Sequence, residues 1–406
     1  MAKARTIKTA ALGICLFVIA FLVFNWANIK RLSTVNSLFD ADKIVQNFSN
    51  MDAAFLHKDL EASPVASLWP ESLRPLPETV SINGAPQNLS ALLEEFGTTA
   101  LVIIKDGELI HESYYQNTQR DDLRISWSVA KSFMSALYGG ALERGQIRSL
   151  DDKAESYVPV LKGSAYEGVS LRNLLNMASG VVFNEDYLDP KSDINKMGRI
   201  LGLGGSMDDF AAGLKLRGAA PGSRWHYVSI DTHVAAMVLR EATSKSLHQL
   251  FNETYSDHLG FGRAPFYLID GEDVAFALGG LNLRTRDYAK FGQLFLQGGA
   301  WNGNQIIPQK WVTASTVHSA PNLSSQGVGY GYQWWVPMPQ DGAHKGDFYA
   351  GGIYGQYIYV NPAAKLVIAK NAADREFEEP AYGYSHSKNV HIDMFRSLAA
   401  QLTAQD

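Results

Sequence analysis

Apolar and polar positions along the chain predict strands near both ends of the main domain and helices between them. In TALVIIKDGELIHESYY, residues 99–115, two apolar strands flank Lys105-Asp106-Gly107, and Asp-Gly supplies the positive φ of a tight hairpin turn. A short helix, SALLEEF from Ser90, leads into this pair. From Ser128 the apolar positions Val129, Phe133, Ala136, Leu137 and Leu142 recur at a helical period that stops at Gly145, a C-terminal cap. Residues 150–275 read as helices and loops. After Gly279-Gly280, Thr285 is expected to cap a helix over RDYAKFGQLFLQGG, and strands return in GYGYQWWV, YGQYIYVNP and LVIAKNA. Strands at both ends with helices inserted between them predict a sandwich-like α/β domain over 90–406, with an all-helical subdomain at about 150–275. No internal repeat interrupts the pattern.

The first ninety residues follow other rules. AALGICLFVIAFLVF, residues 10–24, carries no charge, and with its flanks it predicts a transmembrane anchor over 9–27. Lys3, Arg5 and Lys8 outweigh Lys30 and Arg31, so residues 1–8 are expected in the cytoplasm and the remainder in the periplasm or outside the cell. A cleaved signal peptide is the competing reading, against which stand the length of the apolar run and the lack of a small-x-small cleavage site. Ile14 ahead of Cys15 disfavours lipid attachment there. Residues 28–89 read as a connector, amphipathic from Leu38 to Leu56 and proline-punctuated from Ser63-Pro64 to Pro77.

Composition narrows the function classes. Apolar residues make up 46 % of the 406 positions and charged residues 19 %, which is globular composition, and the length leaves room for a full enzyme core. Thirty-six Lys and Arg stand against forty-one Asp and Glu, a net charge of −5 with no long basic run, so a nucleic-acid binder is excluded. The single cysteine rules out an intrachain disulfide framework and a cysteine zinc site.

Ser128-Val129-Ala130-Lys131 is an S-x-x-K motif at a helix start, where residues three apart share a face and the amine reaches the hydroxyl. A serine hydroxyl needs a base, and a desolvated lysine can serve. Ser385 to Lys388 repeats the pattern, but in a polar stretch with no room for downstream partners. Tyr227-Val228-Ser229 lies ninety-nine residues beyond Ser128, across the helical insertion, and a tyrosine there can carry a proton to a leaving group. Ala350-Gly351-Gly352-Ile353-Tyr354 supplies glycines leading into a strand, which permit close backbone approach and an N–H to pair with that of Ser128 as an oxyanion hole. No G-x-S-x-G elbow and no H-E-x-x-H occurs, which disfavours a Ser-His-Asp hydrolase and a metallohydrolase.

In their order and spacing these three pieces resemble the serine β-lactamase and penicillin-binding-protein superfamily, over about residues 90–400. PGSRWHYVSIDTHVAAMVL, GGLNLRTRDYAKFGQLFLQGG and GYGYQWW resemble its class C branch, and FNEDYLDP with GIYGQY resembles the aminohexanoate-dimer hydrolase group. The resemblance implies an α/β (α+β) β-lactamase-like fold, an antiparallel sheet flanked by helices plus the helical subdomain. It implies Ser128 as nucleophile, Lys131 as its base, Tyr227 as second proton carrier, and the backbone N–H groups of Ser128 and Ile353 as oxyanion hole. Tyr187 would hold the substrate amide. Ser229, where many relatives have asparagine, would contribute a hydrogen bond, and Ala350, Gly351, Gly352 and Tyr354 would border the substrate. Glu185 reads as structural. Ala350-Gly351-Gly352 replaces the family's Lys-Thr-Gly or His-Thr-Gly triplet and removes the cation that receives a carboxylate. The expected reaction is therefore acyl-enzyme hydrolysis of a small amide or ester, with no metal or organic cofactor. A β-lactamase, a D-alanyl-D-alanine carboxypeptidase-like enzyme, and a penicillin sensor that is acylated without turnover are the alternatives, and the oligomeric state stays open.

Overall fold

Strands from the two ends of the main domain meet in one sheet. The computed structural model describes residues 26–323, 327–377 and 383–404, together with Leu16, Phe17, Ile19, Leu22 and Val23. The strands are β1 (Thr98–Lys105), β2 (Glu108–Tyr114), β3 (Gly329–Gly331), β4 (Trp334–Val336), β5 (Phe348–Gly352), β6 (Gln356–Asn361) and β7 (Leu366–Ala372). They pair antiparallel in the order β3-β4-β5-β6-β7-β1-β2. The β1–β2 hairpin turns where expected, with Asp106 at φ +52 and Gly107 at φ +85. The seam between the chain's halves is β7 against β1, with Leu366 opposite Lys105 and Ile368 opposite Ile103.

Both faces of the sheet are covered, which is why β1, β6 and β7 are buried along their whole length. Of the helices that position the site, α1 spans Trp26–Asn36, α2 Ala130–Glu143, α3 Asp193–Leu203, α4 Ser229–Thr243, α5 Thr285–Leu296 and α6 Gly383–Thr403. On one face lies α5, close enough that a Cβ on Gly292 would stand 2.5 Å from Val367 Cγ1 and 2.8 Å from Ile358 Cγ2. The expected cap of that helix differs: Arg284 occupies the N-cap, and Thr285 Oγ1 donates instead to Asn371 Oδ1 on β7 at 2.8 Å. A buried side-chain bond to the sheet displaced the cap. The other face packs against α6 through Phe395, Leu398 and Leu402. The stretch 150–275, expected to be all-helical, is mainly helices and loops but also holds the strand Phe266–Leu268; its helix α4 is tied to α2 by the Tyr138 hydroxyl donating to the Ala235 carbonyl at 2.7 Å.

Residues upstream of the sheet join the same core. Leu38, Ile44, Phe48, Met51 and Leu60 are buried in it, and His57–Asp59 pairs antiparallel with Phe266–Leu268. The transmembrane helix expected over 9–27, and with it the anchored, extracytoplasmic placement, does not stand. No helix among the described residues is long and apolar enough to cross a membrane. Most of 9–27, Cys15 included, lies outside the described residues. The described helix α1 has 11 residues, Lys30 and Arg31 among them, and at 1.5 Å per residue it covers about half of the ~30 Å hydrocarbon layer.

Candidate active site

Ser128 sits where the end of β5 meets the start of α2. A short turn of helix, Trp127–Val129, runs directly into α2, and Trp127 is held at φ +41, a backbone conformation that costs about 1–3 kcal/mol outside glycine. The sharp entry faces the Ser128 hydroxyl into a cavity of about 380 Å³.

One turn further, Lys131 is 1 % exposed. Its Nζ stands 2.9 Å from Ser128 Oγ and donates to the Leu278 carbonyl at 3.0 Å. Burial pulls the ammonium down to about 7, against the Coulombic pull of the Glu185 carboxylate, which favours the charged form. An ordinary lysine at pH 7 is almost wholly protonated and cannot accept a proton; this one is poised to. The same Nζ lies 5.3 Å from the centroid of the Tyr227 ring. That ring is stacked on Trp335 at 5.7 Å between centroids, with Tyr330 edge-on at 6.5 Å, so aromatic packing fixes its direction.

The glycine strand approaches from the other side. A Cβ on Gly352 would stand 3.0 Å from the Ser128 amide nitrogen and 2.7 Å from the Ser126 carbonyl. Glycine is therefore required at the end of β5 for close approach, and its φ of −129 is ordinary extended backbone. Ile353 follows and borders the cavity beside Trp127 and Ser128, which brings its backbone to the edge expected of an oxyanion hole.

The fold separates the other candidates. Tyr187 and Ser229 line the cavity with Ser128. Ala350 is buried in the same core cluster as α5, whereas a Cβ on Gly351 would face the rings of Tyr349 and Tyr357 on the opposite side of the sheet. Tyr354, at φ +58, turns its ring into an aromatic cluster, 5.1 Å from both Phe39 and Phe377, and is buried there.

Glu185, read from the sequence as structural, reaches this site. Its carboxylate accepts from the Ser229 backbone N–H and, at 3.1 Å, from the Ser229 hydroxyl; Tyr187 Oη donates to it at 3.3 Å. Burial raises its pKa, while Lys131 and the Ser229 donors oppose the rise. The loop that carries it is built by its own polar residues. Asn184, Asp186 and Asp189 each accept from the backbone N–H two residues on, at 2.8–2.9 Å. Asn195 on α3 donates to the Tyr187 and Asp189 carbonyls, both at 2.9 Å. Beneath it, burial pushes the Asp231 carboxyl up to about 8, and Tyr166 Oη donates to it at 2.9 Å. No group of His, Cys, Asp and Glu able to hold a metal ion occurs among the described residues.

Residues 87–383 match the Beta-lactamase family. The chain is 27 % identical over 328 residues to the 6-aminohexanoate-dimer hydrolase of Paenarthrobacter ureafaciens, across 77 % of this chain and 82 % of the other. Among solved structures, a Bacillus anthracis protein provisionally named 6-aminohexanoate-dimer hydrolase superposes with a TM-score of 0.80 at 25 % identity, over 90 % of this chain and 96 % of that one. The hydrolase EstCE1, described as having promiscuous acyltransferase activity, shares the fold, with a TM-score of 0.57 at 17 % identity over 74 % of this chain and 99 % of its own. The helix that carries Ser128, the glycine strand and the family match over most of the chain agree: this protein belongs to the beta-lactamase family, as a serine hydrolase homologous to 6-aminohexanoate-dimer hydrolase.

Proposed function

We propose that Ser128 attacks the carbonyl of a small linear amide or ester and that Lys131 and Tyr227 move the protons. The observation that carries this reading is the buried Lys131 amine 2.9 Å from Ser128 Oγ, depressed to about 7. In its neutral form Lys131 donates to the Leu278 carbonyl and accepts the Ser128 proton as Oγ bonds to the substrate carbonyl carbon. The oxyanion that forms takes hydrogen bonds from the N–H groups of Ser128 and Ile353. Collapse breaks the bond to the amine or alcohol, which leaves with the Tyr227 proton, and Lys131 returns a proton to Tyr227. Water then attacks the acyl ester by the reverse relay, releasing the acid and restoring Ser128. Tyr187 holds the substrate amide, and Glu185 fixes the position of Ser229 and biases the charge on Lys131.

A linear amide fits the names of the relatives at 27 % and 25 % identity. The missing cation at Ala350 supports a neutral substrate over a β-lactam. The test is steady-state turnover of a nitrophenyl ester and of an uncharged linear amide such as an N-alkyl hexanamide, with Ser128→Ala as control. Sustained hydrolysis that the variant loses is the expected result. One burst per active site, followed by arrest, would make the protein an acylated sensor and overturn the reading.

A further inference from the structure

The cavity that opens at Ser128 continues away from it between α1 and α3, and its walls are apolar. Val35, Leu38 and Phe55 form one side, Met197 and Leu201 another, and Phe276 a third. Two of its polar side chains away from Ser128 are already engaged. Asn195 donates to the carbonyls of the loop that carries Glu185, and Arg199, the one charged residue among those that line the cavity, donates to the Pro190 carbonyl at 2.7 Å. An ammonium on a ligand would find no counter-charge among the lining residues, and a carboxylate would find one only at the solvent-exposed Arg199, so a charge carried into the apolar part would be desolvated at a large cost.

The cavity also has a side. It is bordered by Ser128, Ile353 and Leu278 but not by Tyr227. Tyr227 is the group that meets the leaving amine or alcohol, so the portion of substrate that stays on Ser128 is the portion that enters the cavity. We propose that this is an acyl-chain pocket, and that the preferred substrates are esters or amides of medium-length, uncharged aliphatic acids. The inference rests on the roles of Ser128 and Tyr227 given above and names the substrate class of that same site. At about 30 Å³ for a water-sized group such as a methylene, 380 Å³ holds a chain of roughly eight carbons with slack for its motion. Val35 and Leu38 lie upstream of the 87–383 family match, so part of this specificity is built by the chain's own N-terminal extension.

The test is kcat/KM for nitrophenyl esters from acetyl to dodecanoyl, with the leaving group held constant and concentrations kept below ester aggregation. Each methylene that enters apolar surroundings is worth about a fourfold gain, so the rate constant rises by at least a hundredfold from acetyl to about octanoyl and then flattens or falls. Gly198→Phe projects a ring from α3 where a Cβ meets no atom within 4 Å, on a half-exposed helix face that tolerates it. The octanoyl-to-acetyl ratio drops at least tenfold in this variant, and Val35→Trp, from the opposite wall, shortens the optimum as well. A flat profile or an acetyl preference, with hydrolysis still lost in Ser128→Ala, overturns the pocket and leaves the Ser128 reading standing. Hydrolysis that survives Ser128→Ala, or turnover of no ester at all, overturns both.

Discussion

The Glu185 carboxylate spans the two bonds that Ser229 offers, accepting from its backbone N–H and from its hydroxyl at 3.1 Å. The contact fastens the loop above the cavity to the first turn of α4, whose N-terminal N–H groups favour an anion. It also sets a negative charge where it acts on Lys131. Removing that charge has a defined sign. Glu185→Gln takes away the one influence that raises the Lys131 pKa while burial, which lowers it, remains. The acid limb of kcat/KM, which reports the free-enzyme base, therefore moves to lower pH in Glu185→Gln and stays near the wild-type position in Glu185→Asp. An unmoved limb in the glutamine variant would reduce Glu185 to a loop fastener.

For the wild type, kcat/KM is expected to rise as pH passes upward through about 7, because the neutral amine of Lys131 is the reactive form. Lys131→Ala and Tyr227→Phe should each lower kcat by roughly a hundredfold or more, the scale of general acid–base catalysis. Since Lys131 Nζ stands 5.3 Å from the Tyr227 ring centroid and the two pass one proton between them, the double variant should be little slower than the more damaged single. Multiplying losses would show two separate roles.

β-Lactam hydrolysis should be slow. The two arginines nearest in sequence to a suitable helix are committed elsewhere: Arg284 to Asp287 at 2.7 Å and Asp121 at 2.8 Å, and Arg286 to Glu112 at 2.6 Å. Lys345 is exposed on the loop before β5. A chromogenic cephalosporin, whose carboxylate would be desolvated without a partner at a cost of a few kcal/mol, should fall at least about a hundredfold below a nitrophenyl ester in kcat/KM. Comparable values for the two would require a cation at the site.

Gly292 tests the packing of α5 on the sheet. Alanine in a helix is worth about 1 kcal/mol over glycine, but the added methyl would press on Val367 Cγ1 and Ile358 Cγ2, at 2.5 and 2.8 Å, inside a core where overpacking costs about 1–3 kcal/mol. Overpacking wins, so Gly292→Ala should lower the denaturant midpoint. A raised midpoint would mean that the helix stands off the sheet.

The parts of this site that are local in sequence were legible there. Ser128 and Lys131 lie on one helical turn, and the Asp106-Gly107 turn announces its hairpin. Ser229 and Glu185 belong to a different order of information. Forty-four residues separate them, and only the folded loop, pinned to α3 by Asn195, brings the carboxylate to the N-terminus of α4. The signal was present in FNEDYLDP, but its distance from Ser128 along the chain concealed its nearness in space. Tyr354 misleads in the opposite way. Beside the glycines it reads as a cleft residue, yet a positive φ turns its ring toward Phe39. Residues 38–60 read as an amphipathic stretch of a connector, but the apolar positions do not reveal their partner; the chain breaks there into short elements whose apolar side chains fill the core.

The central claim is that one serine is acylated. Labelling the protein with a fluorophosphonate probe, followed by peptide mapping, reads this directly. The account predicts one equivalent of label on Ser128, its rate rising with pH through about 7 as the Lys131 amine loses its proton, and no label on Ser128→Ala. Label on any other residue, or label that persists in Ser128→Ala, would contradict it.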